Sequence, residues 1–248
     1  MAMRLWQVRR HWDRFARTDP LWAVLAAPDK DGNRWTVDEF FAAGEREVEA
    51  ALDTVRRRFP QLPRRRALDF GCGVGRLTQA LAGHFDRVTG VDISTEMIAH
   101  ARRHNRHGDR VAYVHNPAAD LACFADGTFD LVLSFITLQH VAPAFAWRYL
   151  AEFLRVCAPG GAVYFQVTDH EINPKPARRS FYPPTVAKKL WRRLNDLLAL
   201  RPVMEMHVLP RREVEAAILA AGGELLLVDE GHGLGQDYAS YVYLVHKP

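Results

Sequence analysis

The first sixty or so residues carry apolar side chains at helical spacing: Trp12, Phe15, Leu21, Trp22 and Leu25, then Phe40, Phe41, Val48, Leu52 and Val55. Pro60 and Pro63 close this zone. Beyond it the pattern changes period. Short apolar and β-branched runs at about 66–70, 87–91, 110–115, 129–134 and 161–167 predict strands, and stretches near 74–83, 94–106 and 144–157 predict helices between them. Such alternation is the pattern of a parallel sheet covered by helices. A Pro- and Arg-rich excursion, 168–206, precedes a predicted helix near 210–221. The runs GELLLVDE and YASYVYLVHK then predict two final strands. Only EGHGLGQD lies between their cores, too short for a helical crossover, so these two pair antiparallel. The predicted organisation is an N-terminal helical cap, 1–63, and an α/β domain, 64–248, with the 168–206 excursion inserted on its substrate side.

Chemistry concentrates in Ala67-Leu-Asp-Phe-Gly-Cys-Gly-Val-Gly-Arg-Leu-Thr. An apolar strand holds Asp69, and Gly71, Gly73 and Gly75 let the backbone turn sharply and approach a ligand closely. A helix follows, so a nucleotide-like ligand sits at its N-terminus, outside the carboxyl ends of the strands. Gly-x-Gly-x-Gly alone is a weak signal. Two carboxylates sharpen it: Asp69, two residues before the first glycine, and Asp92, which ends the next strand in GVDIS. An acid in the turn repels a pyrophosphate and suits a cationic amine, and an acid closing the second strand accepts both hydroxyls of a ribose. Asp92 by itself suits NAD equally; Asp69 weighs against it.

LDFGCGVGRLT resembles motif I of the class I S-adenosylmethionine (SAM) dependent methyltransferases, and GVDIS resembles their second motif. DGTFDLVLSFITLQHV and YLAEFLRVCAPGGAVYF are similar to the family's fourth-strand and fifth-strand segments, and the four together cover 67–167 in order. The resemblance implies a Rossmann-like seven-stranded sheet of order 3-2-1-4-5-7-6 with the last strand antiparallel. It implies SAM as cofactor and S-adenosylhomocysteine as product. It places the methionine part on Asp69, Gly71, Cys72, Gly73 and Gly75, and the ribose on Asp92 with Ile93 beside it. Where the family brackets adenine this chain reads His115-Asn116-Pro117-Ala-Ala-Asp120-Leu121. The family's usual Gly-Asp pair is replaced by Asn116-Pro117, which moves the expected adenine contact to Asp120 and the Leu121 amide, with Asn116 as neighbour. Ser134, ending the fourth strand, completes the expected cofactor shell.

Methyl transfer is an in-line displacement with a neutral leaving thioether, so alignment and exclusion of water are the main requirements. A general base is needed only for an acceptor that starts protonated. Topology gathers Ser134–His140, Asp169–Glu171 and His232–Tyr238 around one cavity. His140, in LQHV, is the leading catalytic candidate and His170 the second; His232 and His207 are weaker. Trp6, Trp12, Trp22 and Trp35 suggest a lid over an apolar acceptor, with Asp19 and Trp22 at its mouth. Arg178, Arg179, Lys188, Lys189, Arg192 and Arg193, around the amphipathic AKKLWRRLNDLLAL, suit an anionic acceptor, a membrane surface, a cap or a dimer contact. His100, His104 and His107 are spaced along one helix, yet in a strongly charged helix end, and no metal site is expected.

Composition narrows the class without deciding it. The 248 residues are 48% hydrophobic and 25% charged, as in an ordinary folded domain. No apolar run reaches the ~18–20 residues of a membrane span, and Arg9, Arg10, Asp13 and Arg14 interrupt any signal-peptide core. Cys72, Cys123 and Cys157 form neither a disulfide framework nor a C-x-x-C pair, so the expected compartment is the cytoplasm. A formal charge of +4 permits an anionic partner without requiring one. The expected function is methyl transfer to an O, N or C atom of a small molecule, with a homodimer allowed and no stable nucleic-acid partner. Nucleic-acid methylation is the first rival, but Ser134-Phe-Ile-Thr stands where an Asn/Asp-Pro-Pro-Tyr motif belongs, and Tyr182-Pro-Pro184 lies too far downstream. An NAD-dependent oxidoreductase, and a SAM-binding protein with another role such as a cyclase, are the remaining alternatives.

Overall fold

The computed structural model describes residues 3–172, 202–231 and 237–248. Seven strands form one sheet: β1 (Arg66–Phe70), β2 (Arg87–Asp92), β3 (Val111–His115), β4 (Phe129–Ser134), β5 (Cys157–Glu171), β6 (Glu224–Glu230) and β7 (Tyr238–Lys247). Their order is β3-β2-β1-β4-β5-β7-β6. Neighbours among β1–β5 pair parallel, and β7 runs antiparallel to both β5 and β6. The sheet order and the reversed last strand are those the family resemblance implies.

Alternation along each strand sends side chains to two cores. Leu68, Val132, Val163 and Phe165 face α6 (Pro143–Val156) and α7 (Arg211–Ala220). Ala67, Leu131, Leu133, Ala162 and Tyr164 face α3 (Val37–Arg58), α4 (Arg76–Leu81) and α5 (Thr95–His104). A third cluster, built on Ala16, Ala23, Phe40, Phe41, Val74 and Met97, docks α1 (Leu5–Thr18) and α2 (Pro20–Val24) onto the carboxyl end of the sheet.

Local chemistry sets the ends of these elements. Thr36 and Glu39 form a reciprocal capping box at α3, the Ser94 side chain caps α5 by accepting from the Met97 N–H at 3.1 Å, and Pro143 opens α6. α4 begins two residues later than the pattern predicts because Gly75 sits in the left-handed region (φ 86°) as its N-cap. β5 begins four residues early, at Cys157, which pairs with Phe129 ahead of a bulge. The buried Asp130 carboxylate accepts from the backbone N–H groups of Arg65 and Arg66 at 2.8 and 2.9 Å, which pins the start of β1 to β4.

Candidate active site

A cavity of about 950 Å³, open mouth included, lies over the carboxyl ends of β1, β2 and β4. Its floor is the glycine loop. The N–H groups of Gly71 and Cys72 both donate to the Val91 carbonyl, at 2.8 and 3.1 Å, which folds the loop back toward β2. Gly71 has φ 76°, and a Cβ there would lie 2.2 Å from Thr137 Cγ2. Gly73 has φ 52°, and its Cβ would lie 2.5 Å from Val24 Cγ2 in the cap. Only glycine satisfies both the dihedral and the approach.

Two carboxylates stand at this floor. Asp69 is 2% exposed and accepts from the Thr78 hydroxyl at 2.6 Å. Burial pushes its pKa up to about 6, against the opposing pull of Thr78 and the Arg76 guanidinium. Asp92 lines the cavity and accepts from the Gly73 N–H at 2.9 Å and the Ser94 N–H at 2.7 Å; burial raises its pKa also. Each carboxylate retains lone pairs beyond those bonds. Between them and α3 lies Arg76, only 3% exposed, whose Nη1 donates to Glu47 at 2.6 Å while its Nε has no partner. An orphaned cationic N–H on a cavity wall is a donor waiting for an anion.

The wall opposite is apolar and comes largely from the cap: Leu5, Val8 and Trp12 of α1, Val24 of α2, and Phe135 and Val141 after β4. Polar groups reach it from Thr137, from Tyr149 and from the imidazole of His140. His140 is 8% exposed, packs edge-on to Trp12 at 5.4 Å, and its Nδ1 lies 2.8 Å from the Glu205 carbonyl. A carbonyl only accepts, so Nδ1 carries the proton and Nε2 keeps its lone pair. Burial lowers the imidazole pKa to about 4, so the ring is neutral at physiological pH. Beside it Ile136 holds φ 55°, a conformation that β-branched residues rarely adopt and that marks stored strain in this wall.

The sequence-derived candidates divide on this geometry. Asp69, Gly71, Cys72, Gly73, Asp92, Ile93, Asn116 and His140 line the cavity together. Gly75, Asp120, Leu121, Ser134 and His170 do not. Gly75 caps α4, and the Ser134 hydroxyl is buried and donates to the Phe70 carbonyl at 3.2 Å, joining β4 to β1. The Leu121 amide already donates to Glu152 at 2.7 Å, and Asp120, whose carboxylate accepts from the Ala122 N–H at 3.2 Å, is not among the residues that line the cavity. Asn116 is the member of that stretch on the cavity, held by its own turn with Ala118 and Asp120. His170 is exposed and pairs with Asp169 at 2.7 Å, at the outer end of β5, and is not among the residues that line the cavity.

Of Trp6, Trp12, Trp22 and Trp35, Trp12 alone reaches the cavity. The Trp22 and Trp35 indoles donate to the carbonyls of Ala27 and Leu25, and Asp19 caps α2. His207 pairs with Glu205 at 3.1 Å. Among the described residues no group of His, Cys, Asp and Glu is arranged to hold a metal. His232 and the basic stretch 178–193 lie outside the described residues. Sequence reasoning missed Glu205, whose carbonyl orients His140 from 65 positions away, and Arg76, whose place directly after Gly75 was a visible signal.

Residues 68–165 match the family model described as a methyltransferase domain. Over that stretch the chain is similar to a methyltransferase domain. Among curated relatives, the ubiquinone biosynthesis O-methyltransferase of Methylococcus capsulatus is 36% identical over 135 residues, 52% of this chain and 56% of that protein. The protein of that name from Aromatoleum aromaticum is 38% identical over 103 residues, 41% of this chain and 43% of that one. The chain thus matches about half the length of these relatives. Two solved structures share the fold across nearly the whole chain. Magnesium protoporphyrin IX methyltransferase from Synechocystis, with bound S-adenosylhomocysteine, gives a TM-score of 0.63 at 17% identity, covering 97% of this chain and 98% of that one. The [4+2]-cyclase SpnF gives 0.65 at 18%, covering 100% and 98%.

Proposed function

We propose that this chain is a SAM-dependent methyltransferase acting on a hydroxyl of an apolar small molecule, with α1 and α2 as its cap, while α3, which a cap of residues 1–63 would include, packs on the sheet. The observation that carries the reading is one cavity with a glycine-and-carboxylate floor, an apolar roof and a single neutral imidazole between them. The relatives named as O-methyltransferases support an oxygen acceptor.

The residues present fit the cofactor. Asp69 suits the methionyl amine, the orphaned Arg76 Nε its carboxylate, Asp92 the ribose hydroxyls, and Ile93 and Asn116 the purine. When bound, SAM supplies a methyl group on a sulfonium. The chain's part is to align the acceptor oxygen, exclude water beneath Trp12, Leu5 and Val8, and take one proton. His140 Nε2 is the atom placed to receive that proton, because the Glu205 carbonyl holds Nδ1 protonated. An imidazole weakened to a pKa of about 4 by burial removes a proton from an acidic hydroxyl, of phenol or enol type, far more readily than from an aliphatic alcohol. Residence in the cytoplasm and a homodimer belong to the same reading.

Calorimetric titration with SAM, S-adenosylhomocysteine and NADH, followed by a mass-spectrometric screen of phenolic acceptors, tests it. Expected are saturable binding of both sulfur compounds, none of NADH, and a 14 Da gain on an acceptor. In His140→Ala, kcat is expected to fall about 10²–10⁴-fold at nearly unchanged SAM affinity. SAM binding without any methyl transfer would favour a non-methylating role, which the shared fold of a [4+2]-cyclase makes concrete. Binding of NADH alone would overturn the proposal.

A further inference from the structure

Asp13 of α1 is not among the residues that line the cavity, yet it reaches the cavity floor through a neighbour. Its Oδ1 accepts from the Ser94 hydroxyl at 2.7 Å and from the Glu96 N–H at 3.3 Å. Ser94 is buried, and its own N–H donates to Asp92 Oδ1 at 2.7 Å. One serine therefore joins a carboxylate of the cap to a carboxylate of the floor. The Ser94 hydroxyl oxygen also accepts from the Met97 N–H at 3.1 Å, so the side chain is held from both sides. Asp92 Oδ2 in turn receives the Gly73 N–H at 2.9 Å. Around this junction α1 grips α5 twice more: the Ala16 carbonyl accepts from His100 Nε2 at 3.1 Å, and Arg17 pairs with Glu96 at 2.7 Å. That ion pair is exposed and contributes little. Asp13 is the better anchored contact, half-buried, with a charge-assisted bond to a hydroxyl and the first turn of α5 to face.

We infer that Asp13 is a positioning residue for the cofactor's ribose: by holding the Ser94 hydroxyl it aims the Ser94 N–H at Asp92, and so fixes the carboxylate that takes the ribose hydroxyls. The inference rests on the cofactor reading above and adds a part of the site that lies in the cap. A carboxylate free to turn loses that freedom when it accepts two hydroxyls. One held at both oxygens, by Gly73 on Oδ2 and Ser94 on Oδ1, is oriented beforehand. The same bonds act in the other direction. Docking of α1 on Ser94 and binding of ribose on Asp92 favour each other by one common factor. Removing the ribose hydroxyls must then uncouple the two, which a contact that merely steadies α1 against α5 does not require.

The test is the affinity of the full chain for S-adenosylhomocysteine and for its 2′,3′-dideoxy analogue, in wild type, Asp13→Ala and Asp13→Asn. Calorimetry reads the first ligand, and displacement of the first reads the second. Asp13→Ala is expected to bind S-adenosylhomocysteine about tenfold more weakly, the lower end of what one hydrogen bond to a charged group contributes. The same variant is expected to bind the dideoxy analogue within about twofold of wild type, because the contact that Asp13 prepares is no longer made. Asp13→Asn keeps an acceptor oxygen for Ser94 and is expected to stay within about threefold of wild type for both ligands. Equal loss of both ligands in Asp13→Ala assigns Asp13 to the cap alone and overturns the inference. Unchanged S-adenosylhomocysteine affinity in Asp13→Ala overturns it too, as does a loss in Asp13→Asn as large as in Asp13→Ala. A wild-type chain that binds no S-adenosylhomocysteine overturns the cofactor reading, and this inference with it.

Discussion

Asp69 is a carboxylate almost without water, 2% exposed, with one hydroxyl donor from Thr78. Its pKa of about 6 against an ordinary 3.8 means that the folded protein binds more protons than the unfolded chain between about pH 4 and 6, and stability from this group falls as pH rises through that window. A cationic amine seated beside it reverses the balance by favouring the charged form, so binding must release a proton wherever the free carboxyl is still protonated. SAM is therefore expected to bind about tenfold more weakly at pH 5 than at pH 7.5. Calorimetry in two buffers of different ionisation heat should count up to about half a proton released near pH 6. Pattern reading reached this residue because its neighbours in sequence are its neighbours in space: a strand, three glycines and a second acid some twenty positions on. It also named Asp120, Leu121 and His170, none of which lines the cavity, for the opposite reason. Whether the Leu121 amide is available depends on Glu152, thirty-one positions away, and whether His170 faces the cavity depends on how far β5 runs past it. Neither is written in a local motif.

At the scale of elements the strands were legible as short apolar runs, because most of them are buried on both faces. The sheet order came from the resemblance and from one short connection, not from alternation. Strand and helix ends were legible only where a glycine, proline or capping side chain marks them. The early start of β5 rests on a bulge opposite Phe129, and no propensity signals it. Asp130 shows how much one side chain can do for register. Its carboxylate is 3% exposed and receives two backbone N–H groups and the Arg65 guanidinium at 2.8 Å. Asp130→Ala strands those two N–H donors at the entry of β1, the strand that delivers Asp69 and the glycine loop. The loss is expected to be about 2–4 kcal/mol, one to two for each abandoned donor. Urea unfolding checks it, as a lower midpoint at unchanged slope; a midpoint within about 0.3 kcal/mol of wild type would show that water replaces the carboxylate there.

Among the described residues a sheet is packed on both faces, and a cap of α1 and α2 is held by a smaller cluster of its own. Its helices touch the floor of the cavity directly: Val24 sits where a Cβ on Gly73 would be, and Trp12 packs against His140. Segment 202–209 ties the two parts together from the other side, since the Val203 N–H donates to His11 of α1 at 3.1 Å and the His207 N–H donates to the Gln139 carbonyl at 2.7 Å. A cap with few buried apolar neighbours opens at lower free energy than the sheet beneath it. A ligand that fills the space between roof and floor binds the closed form alone, and so stabilises the cap by RT ln(1 + [L]/Kd), about 2.7 kcal/mol at a hundredfold excess over Kd. Hydrogen exchange should therefore show α1 and α2 amides slowing by up to about a hundredfold on addition of S-adenosylhomocysteine, while β1 and β4 amides, already protected, change far less. Uniform slowing across sheet and cap would mean that the cap opens only with global unfolding. No slowing in α1 would mean that the ligand does not reach the roof, and the acceptor wall would then have to be sought elsewhere.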